Sequence, residues 1–227
     1  MKLQLTEVEN VTGIYKIKGA AGQMPRSACR LAPAAARNFS QFLGHMVTVS
    51  DMFRSPESSL NAVKAGRGAK APGYSGHNYG FSIDIDVTAT MVAVHAVTKE
   101  GLDAWMKTRG WFCHRQDHKR DREEWHYNYF GVGFELPKGV SSSTILERMI
   151  VDNYGGYFSL SNKEAQTALK RIGLYGGDID GLIGPRTRTA IQLFQKTWDI
   201  PQTGVVNSKT ERTLVYVTAD IELVGAV

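Results

Sequence analysis

Long apolar runs are missing from this 227-residue chain. No stretch approaches the roughly 20 consecutive apolar residues that a bilayer-spanning helix needs, so membrane insertion is not expected. The amino terminus, Met-Lys-Leu-Gln-Leu-Thr-Glu-Val-Glu-Asn, also lacks a signal peptide's apolar core: one lysine is followed by polar and acidic residues. Export by that route is not expected. Cysteine is scarce, with only Cys29 and Cys113. Two cannot build a disulfide framework, and free or buried thiols in a reducing cytoplasm are the expectation. Acidic charge is in deficit, with 22 Asp and Glu against 27 Lys and Arg, for a net charge of +5. The basic residues are scattered and form no recognised nucleic-acid motif, which argues against a nucleic-acid partner and favours an anionic surface such as a cell wall.

What is present centres on Ser75-Gly76-His77-Asn78-Tyr79-Gly80-Phe81-Ser82-Ile83-Asp84. This stretch sets an imidazole and a carboxylate seven residues apart, across a glycine turn and ahead of the alternating residues Ile83, Ile85 and Val87. A catalytic zinc ion takes three ligands of the His, Asp and Glu kind and keeps one position open, so a third ligand should lie elsewhere. Glu123-Glu124-Trp125-His126 can supply it as His126, with a neighbouring glutamate as the base. Strand parity favours Glu124 for that base, because residues two apart share a face and Glu123 lies three from His126.

Ser-x-His-x-x-Gly-x-x-x-Asp, followed some forty residues later by Glu-x-x-His, resembles the signature of a zinc peptidase family. Its members include VanY- and VanX-type D-alanyl-D-alanine peptidases and phage L-alanyl-D-glutamate peptidase endolysins. Ser82 stands where the family usually has alanine. The resemblance implies an α+β catalytic domain of the DD-peptidase and hedgehog type, with a small antiparallel sheet and helices. It implies Zn2+ held by His77, Asp84 and His126, and Glu123 rather than Glu124 as the base. Asp51-Met52-Phe53-Arg54-Ser55 matches in part the family's Ser-x-x-Arg-Ser, and Arg54 resembles the arginine that faces the scissile carbonyl. Pairing of Arg54 with Asp51 or Glu57 is its other reading.

Local patterns predict the rest. A strand or hairpin is expected over 1–24, a helix over 27–43, and a short strand at 46–50 that delivers Phe53 and Arg54. Ser55 and Pro56 should start a helix, and 64–73 should be a surface loop. A strand over 81–87 should put Asp84 and Asp86 on one face, with Asp86 either accepting from a ligand histidine or exposed. A helix with Leu102, Trp105 and Met106 should end near Gly110, and a hairpin of 111–114 with 125–130 should lay His126 beside Asp84. Tyr127 and Tyr129 read as core residues. His114 and His118 fall in a polar run without helical periodicity and read as a solvated loop, while His45 and His95 are lone structural histidines.

The last third changes character. Ser161-Asn162-Lys163-Glu164 is a capping box that opens a helix, Pro185 opens a second, and Asn207-Ser208 precedes a third. Between the first two lies Gly-Gly-Asp-Ile-Asp-Gly-Leu-Ile-Gly-Pro-Arg-Thr; Asp178 and Asp180 lack the remaining ligands of a calcium loop, so a glycine-rich turn is expected. Gln166, Leu169, Gly173, Asp180, Gly181, Gly184, Thr187, Ala190, Phe194, Gln195, Thr203-Gly204 and Thr210 resemble the three-helix peptidoglycan-binding domain of wall hydrolases. The expected layout is a zinc peptidase domain at 1–138, a linker with a short helix at 139–160, a peptidoglycan-binding domain at 161–218 and a tail at 219–227.

Together these resemblances imply a monomeric zinc metallopeptidase acting on bacterial peptidoglycan. The expected role is a phage endolysin made in the host cytoplasm, released through a holin-type pore, and cutting the L-alanyl-D-glutamate bond. The alternatives are D-alanyl-D-alanine carboxypeptidase action and a wall-binding protein without turnover.

Overall fold

The computed structural model describes residues 2–7, 15–17, 28–29, 47–93, 98–114, 123–154 and 159–226. Its strands are β1 (Lys2–Glu7), β2 (Tyr15–Ile17), β3 (Ala28–Cys29), β4 (Val47–Asp51), β5 (Ser82–Ile85), β6 (Trp111–Cys113), β7 (His126–Tyr129) and β8 (Asp220–Ala226). Its helices are α1 (Pro56–Lys64), α2 (Val87–Ala93), α3 (Lys99–Thr108), α4 (Ser142–Tyr154), α5 (Asn162–Arg171), α6 (Pro185–Thr197) and α7 (Ser208–Val217). The chain is α+β, with a helical domain at the carboxyl end.

One sheet carries the candidate site, in the order β2-β4-β5-β7-β6. Strands β4, β5, β7 and β6 run antiparallel, and β2 joins β4 in parallel. Period-two alternation explains its two faces. Ile83, Ile85 and Tyr127 are wholly buried on one side. On the other side Ser82 pairs with Asn128 and Asp84 with His126. The expected hairpin of 111–114 with 125–130 therefore forms as β6 and β7, and it does bring His126 against Asp84.

Local capping chemistry sets several boundaries. Ser55 accepts from the Ser58 amide at 3.2 Å with Pro56 in the first turn of α1, and Thr98 accepts from Gly101 at 3.1 Å to start α3. The strand expected over 81–87 stops at Ile85, because the Asp86 carbonyl accepts from Thr90 at 2.8 Å and the chain turns into α2. Asp86 thus shares no strand face with Asp84. The expected hairpin within 1–24 is not made by β1 and β2, which belong to different sheets. Of the helix expected over 27–43, Ala28–Cys29 is instead a strand paired antiparallel with β1, and the remainder lies outside the described residues. His45, His95 and His118 lie outside them too. The expected tail is also a strand: β8 lies parallel to β1, so the two ends of the chain close one three-stranded sheet.

The segment 139–160, expected as a linker with a short helix, holds the 13-residue helix α4. Leu146 and Ile150 on α4 pack with Tyr79, Phe81 and Tyr216, so α4 is wedged between the two halves of the molecule. In the helical domain, Ala165, Leu169, Ala190, Ile191, Phe194 and Leu214 form the core, which Leu60 of α1 joins. The capping box is made as expected: Ser161 and Glu164 satisfy each other's backbone amides.

Two buried glutamines organise the loops of that domain. The Gln166 amide nitrogen donates to Asp180 at 2.8 Å and to the Leu182 carbonyl at 3.0 Å, while its oxygen accepts from Gly181 at 2.7 Å. Gln195 repeats the plan, donating to Thr203, the Val205 carbonyl and Thr210 at 2.9 Å each and accepting from Gly204 at 2.9 Å. Asp180 is thus engaged by Gln166 and by the Leu182 amide, in keeping with a glycine-rich turn rather than a calcium loop.

Candidate metal centre

Three elements converge on the candidate site. A one-turn 3-10 helix, Gly76–Tyr79, carries His77, and its cap Ser75 accepts from the His77 amide. Gly80 closes this turn at φ +71°, a left-handed conformation that suits glycine, and the chain enters β5 with Asp84 four residues later. His126 opens β7 directly opposite Asp84.

The three donor atoms meet. His77 Nε2 lies 3.1 Å from Asp84 Oδ1 and 3.1 Å from His126 Nδ1, and the last two are 2.8 Å apart. Hydrogen bonds on the far side of each ring fix which nitrogens carry protons. His77 Nδ1 sits 2.7 Å from the Met52 carbonyl, which only accepts, so Nδ1 bears the hydrogen and Nε2 presents a lone pair to the centre. His126 Nε2 sits 3.2 Å from Asn128 Oδ1, which also accepts from the Ser82 hydroxyl at 2.5 Å, so His126 Nδ1 likewise turns a lone pair inward. Two lone pairs and a carboxylate oxygen facing one another form a site that fits a divalent cation. Their mutual distances approach the roughly 3.3 Å edge of a tetrahedron built on zinc-to-nitrogen bonds of about 2.0–2.1 Å.

Electrostatics agree with that reading. Burial acts to raise the Asp84 pKa, but His77 and the hydrogen bonds from His126 and His77 outweigh it and hold the carboxyl well below the usual range. Burial acts to lower the His77 pKa, and the charge of Asp84 reverses this, raising it.

A cavity of about 690 Å³ opens over the cluster, lined among others by Arg54, Glu123, Arg67, Lys70 and His114. The register of β4 shifts between Val49 and Asp51, after which the chain leaves the sheet and presents the Met52 carbonyl to His77. Arg54 follows, its Nε and Nη2 held by Asp51 at 3.1 and 2.6 Å, with Nη2 3.9 Å from Asp84. Of the two readings of Arg54, the pairing with Asp51 is made, and the side chain also lines the cavity. Strand parity does not govern the glutamates, because β7 begins only at His126, and Glu123 accepts from the His126 amide within a turn. Glu123 lines the cavity, whereas Glu124 is not among its lining residues.

Sequence reasoning misplaced one residue and missed two. His114, expected in a solvated loop, is 8% exposed, lies edge-on to His126 with ring centres 5.8 Å apart, and lines the cavity. Its place at the end of β6, beside β7, explains this. Met52 acts through a backbone carbonyl, which no side-chain pattern announces. Asn128 was detectable as the alternate residue after His126. The acceptors for the outer nitrogens of the His77 and His126 rings are the Met52 carbonyl and Asn128. Tyr127 and Cys113 are buried on the opposite face, where Lys99 bonds Tyr127 at 2.9 Å and donates to the Cys113 sulfur at 3.5 Å.

Residues 161–214 match the family described as "Putative peptidoglycan binding domain". This covers about a quarter of the chain and coincides with the α5 to α7 unit. The unit supports association with the cell wall and peptidoglycan as a partner. Among curated proteins the chain is similar to "Putative OxPP cycle protein OpcA" of Synechococcus elongatus, with 44% identity over 52 residues, which is 23% of this chain and 12% of that protein. The chain therefore spans about an eighth of that relative's length. Among the described residues no helix is long and apolar enough to cross a membrane.

Proposed function

We propose that the chain is a zinc-dependent peptidoglycan peptidase. The observation that carries this reading is the convergence of His77, Asp84 and His126 under one cavity with Glu123 and Arg54, in a chain that also holds a peptidoglycan-binding domain. Zinc, when bound by these three residues, supplies Lewis acidity toward water and an amide carbonyl. Glu123 takes a proton from the attacking water and returns it to the leaving amine. Arg54, braced by Asp51, keeps Nη1 without a protein partner among the described residues and stabilises the oxyanion that develops on the carbonyl. The α5 to α7 unit holds the enzyme on its polymeric substrate. That raises the local concentration of stem peptides around the cavity.

The favoured bond is L-alanyl-D-glutamate, whose cleavage severs stem peptides and lyses cells, in the role of an endolysin released from the host cytoplasm. A second reading, D-alanyl-D-alanine carboxypeptidase action, draws on Arg67 and Lys70 in the cavity lining, which suit a terminal carboxylate. Mass spectrometry of purified peptidoglycan after incubation, with and without a chelator, separates the two. New amino termini on D-glutamate are expected. Loss of only a terminal alanine moves the activity to the carboxypeptidase, and no chelator-sensitive product leaves a binding protein.

A further inference from the structure

The wall-binding unit does not hang free of the site. Its last helix, α7, packs into the other half of the molecule through Thr213, which is wholly buried, and Tyr216, which is only 1% exposed. The contacts fall on the backbone that shapes the site. Arg212 Nε donates to the Gly73 carbonyl at 2.5 Å, and Thr213 donates to the Pro72 carbonyl at 3.3 Å. Gly73 has φ +88°, and a Cβ there would meet the Arg212 carbonyl at 3.2 Å and Tyr216 Cβ at 3.3 Å, so the loop entering the His77 turn fits against α7 without a side chain. The Arg212 guanidinium covers the Tyr74 ring at 4.3 Å and pairs with Glu147 of α4.

The furthest-reaching contact is Tyr216 itself. Its hydroxyl donates to the Arg54 carbonyl at 2.6 Å, and the Asn78 side chain donates to the same oxygen at 3.0 Å. The Arg54 amide donates to the His77 carbonyl at 3.1 Å, closing a node between the arginine and the metal-ligand turn. The backbone of Arg54 is therefore pinned on both sides, once by the turn and once by a residue beyond the family match, which ends at 214.

We infer that Tyr216 is a positioning residue for Arg54, so that the wall-binding unit is a built-in part of the catalytic site rather than a detachable anchor. Its kinetic consequence rests on the peptidase reading; its structural consequence does not. A buried hydroxyl bonded to a backbone carbonyl fixes where the Arg54 side chain starts, and a guanidinium misplaced by a fraction of an ångström stabilises an oxyanion poorly.

The test uses the full-length chain carrying Tyr216→Phe, which deletes one hydroxyl and keeps the ring packed. In zinc-free protein the Arg54 and Asn78 amides should exchange with solvent about threefold to tenfold faster, the span expected for one lost hydrogen bond, while amides of α5 and α6 keep their rates. On a soluble stem peptide, which needs no wall attachment, kcat should fall by about the same factor with KM and sedimentation with sacculi unchanged. The loss should vanish when Tyr216→Phe is placed in an Arg54→Ala background. Unchanged exchange at Arg54 overturns the inference. A kcat loss that survives undiminished in the Arg54→Ala background overturns the route through Arg54. If the parent chain hydrolyses nothing but exchange responds as expected, the peptidase reading falls and the coupling stands.

Discussion

Both halves of this molecule bury polar side chains at a central node, and the two nodes are opposite in kind. Around Gln166 and Gln195 donors and acceptors are matched within the chain itself, each amide nitrogen giving and each amide oxygen receiving. Around His77, Asp84 and His126 the outer ring nitrogens are satisfied, and the inner atoms are two lone pairs and a carboxylate facing one another at 2.8–3.1 Å. A closed network contributes rigidity, since breaking it strands buried groups. An open one has capacity left over. The difference marks the first node as scaffold and the second as a site whose three donor atoms could hold a cation.

That contrast can be broken in four ways, from the largest effect to the smallest. Glu123→Ala should lower hydrolysis of a soluble stem peptide about a thousandfold while leaving one zinc per chain, because it removes a proton carrier and no ligand. If Glu124→Ala does this and Glu123→Ala does not, the base is misassigned. Gln195→Ala should lower unfolding free energy by about 2–4 kcal/mol in a denaturant titration, since the buried Gly204 amide and Thr210 hydroxyl lose their shared partner. A neutral result would mean that the closed node is not structural.

Asn128→Ala should weaken zinc binding about tenfold to a hundredfold in a chelator competition, because His126 loses the acceptor that fixes its tautomer. Unchanged affinity would show that the outer bonds do not set up the open node. Finally, Ser161→Ala should cost about 1 kcal/mol of thermal stability and leave zinc binding as it was, the ordinary effect of losing a helix cap.

Much of the candidate site was legible because metal chemistry restricts residue type and spacing. His77, Asp84 and His126 stand out as ligand types at fixed intervals, and they do meet. Asn128 could have been read from strand alternation once His126 was placed on β7. The Met52 carbonyl could not, because every residue carries a carbonyl and only the chain's path selects one. His114 was misread because a polar sequence neighbourhood hides a side chain that turns inward at a strand end. Strand parity could not choose between the two glutamates, because β7 begins only at His126, after both of them. Strand β8 looked like a tail because its partner is β1, at the far end of the chain, and long-range pairing leaves little local trace.

The sequence by itself determined the local elements: caps at Ser55, Thr98 and Ser161, the turn at Gly80, and three amphipathic helices after residue 160. These follow from interactions within a few residues, which the order of side chains dictates directly. Only the tertiary structure decided how the halves join: that α7 packs against Gly73, that Tyr216 reaches the Arg54 carbonyl across 162 positions, and that α4 is wedged between the halves. Backbone acceptors and buried apolar faces are common to many residues, so the choice among them is made by global packing rather than by local pattern.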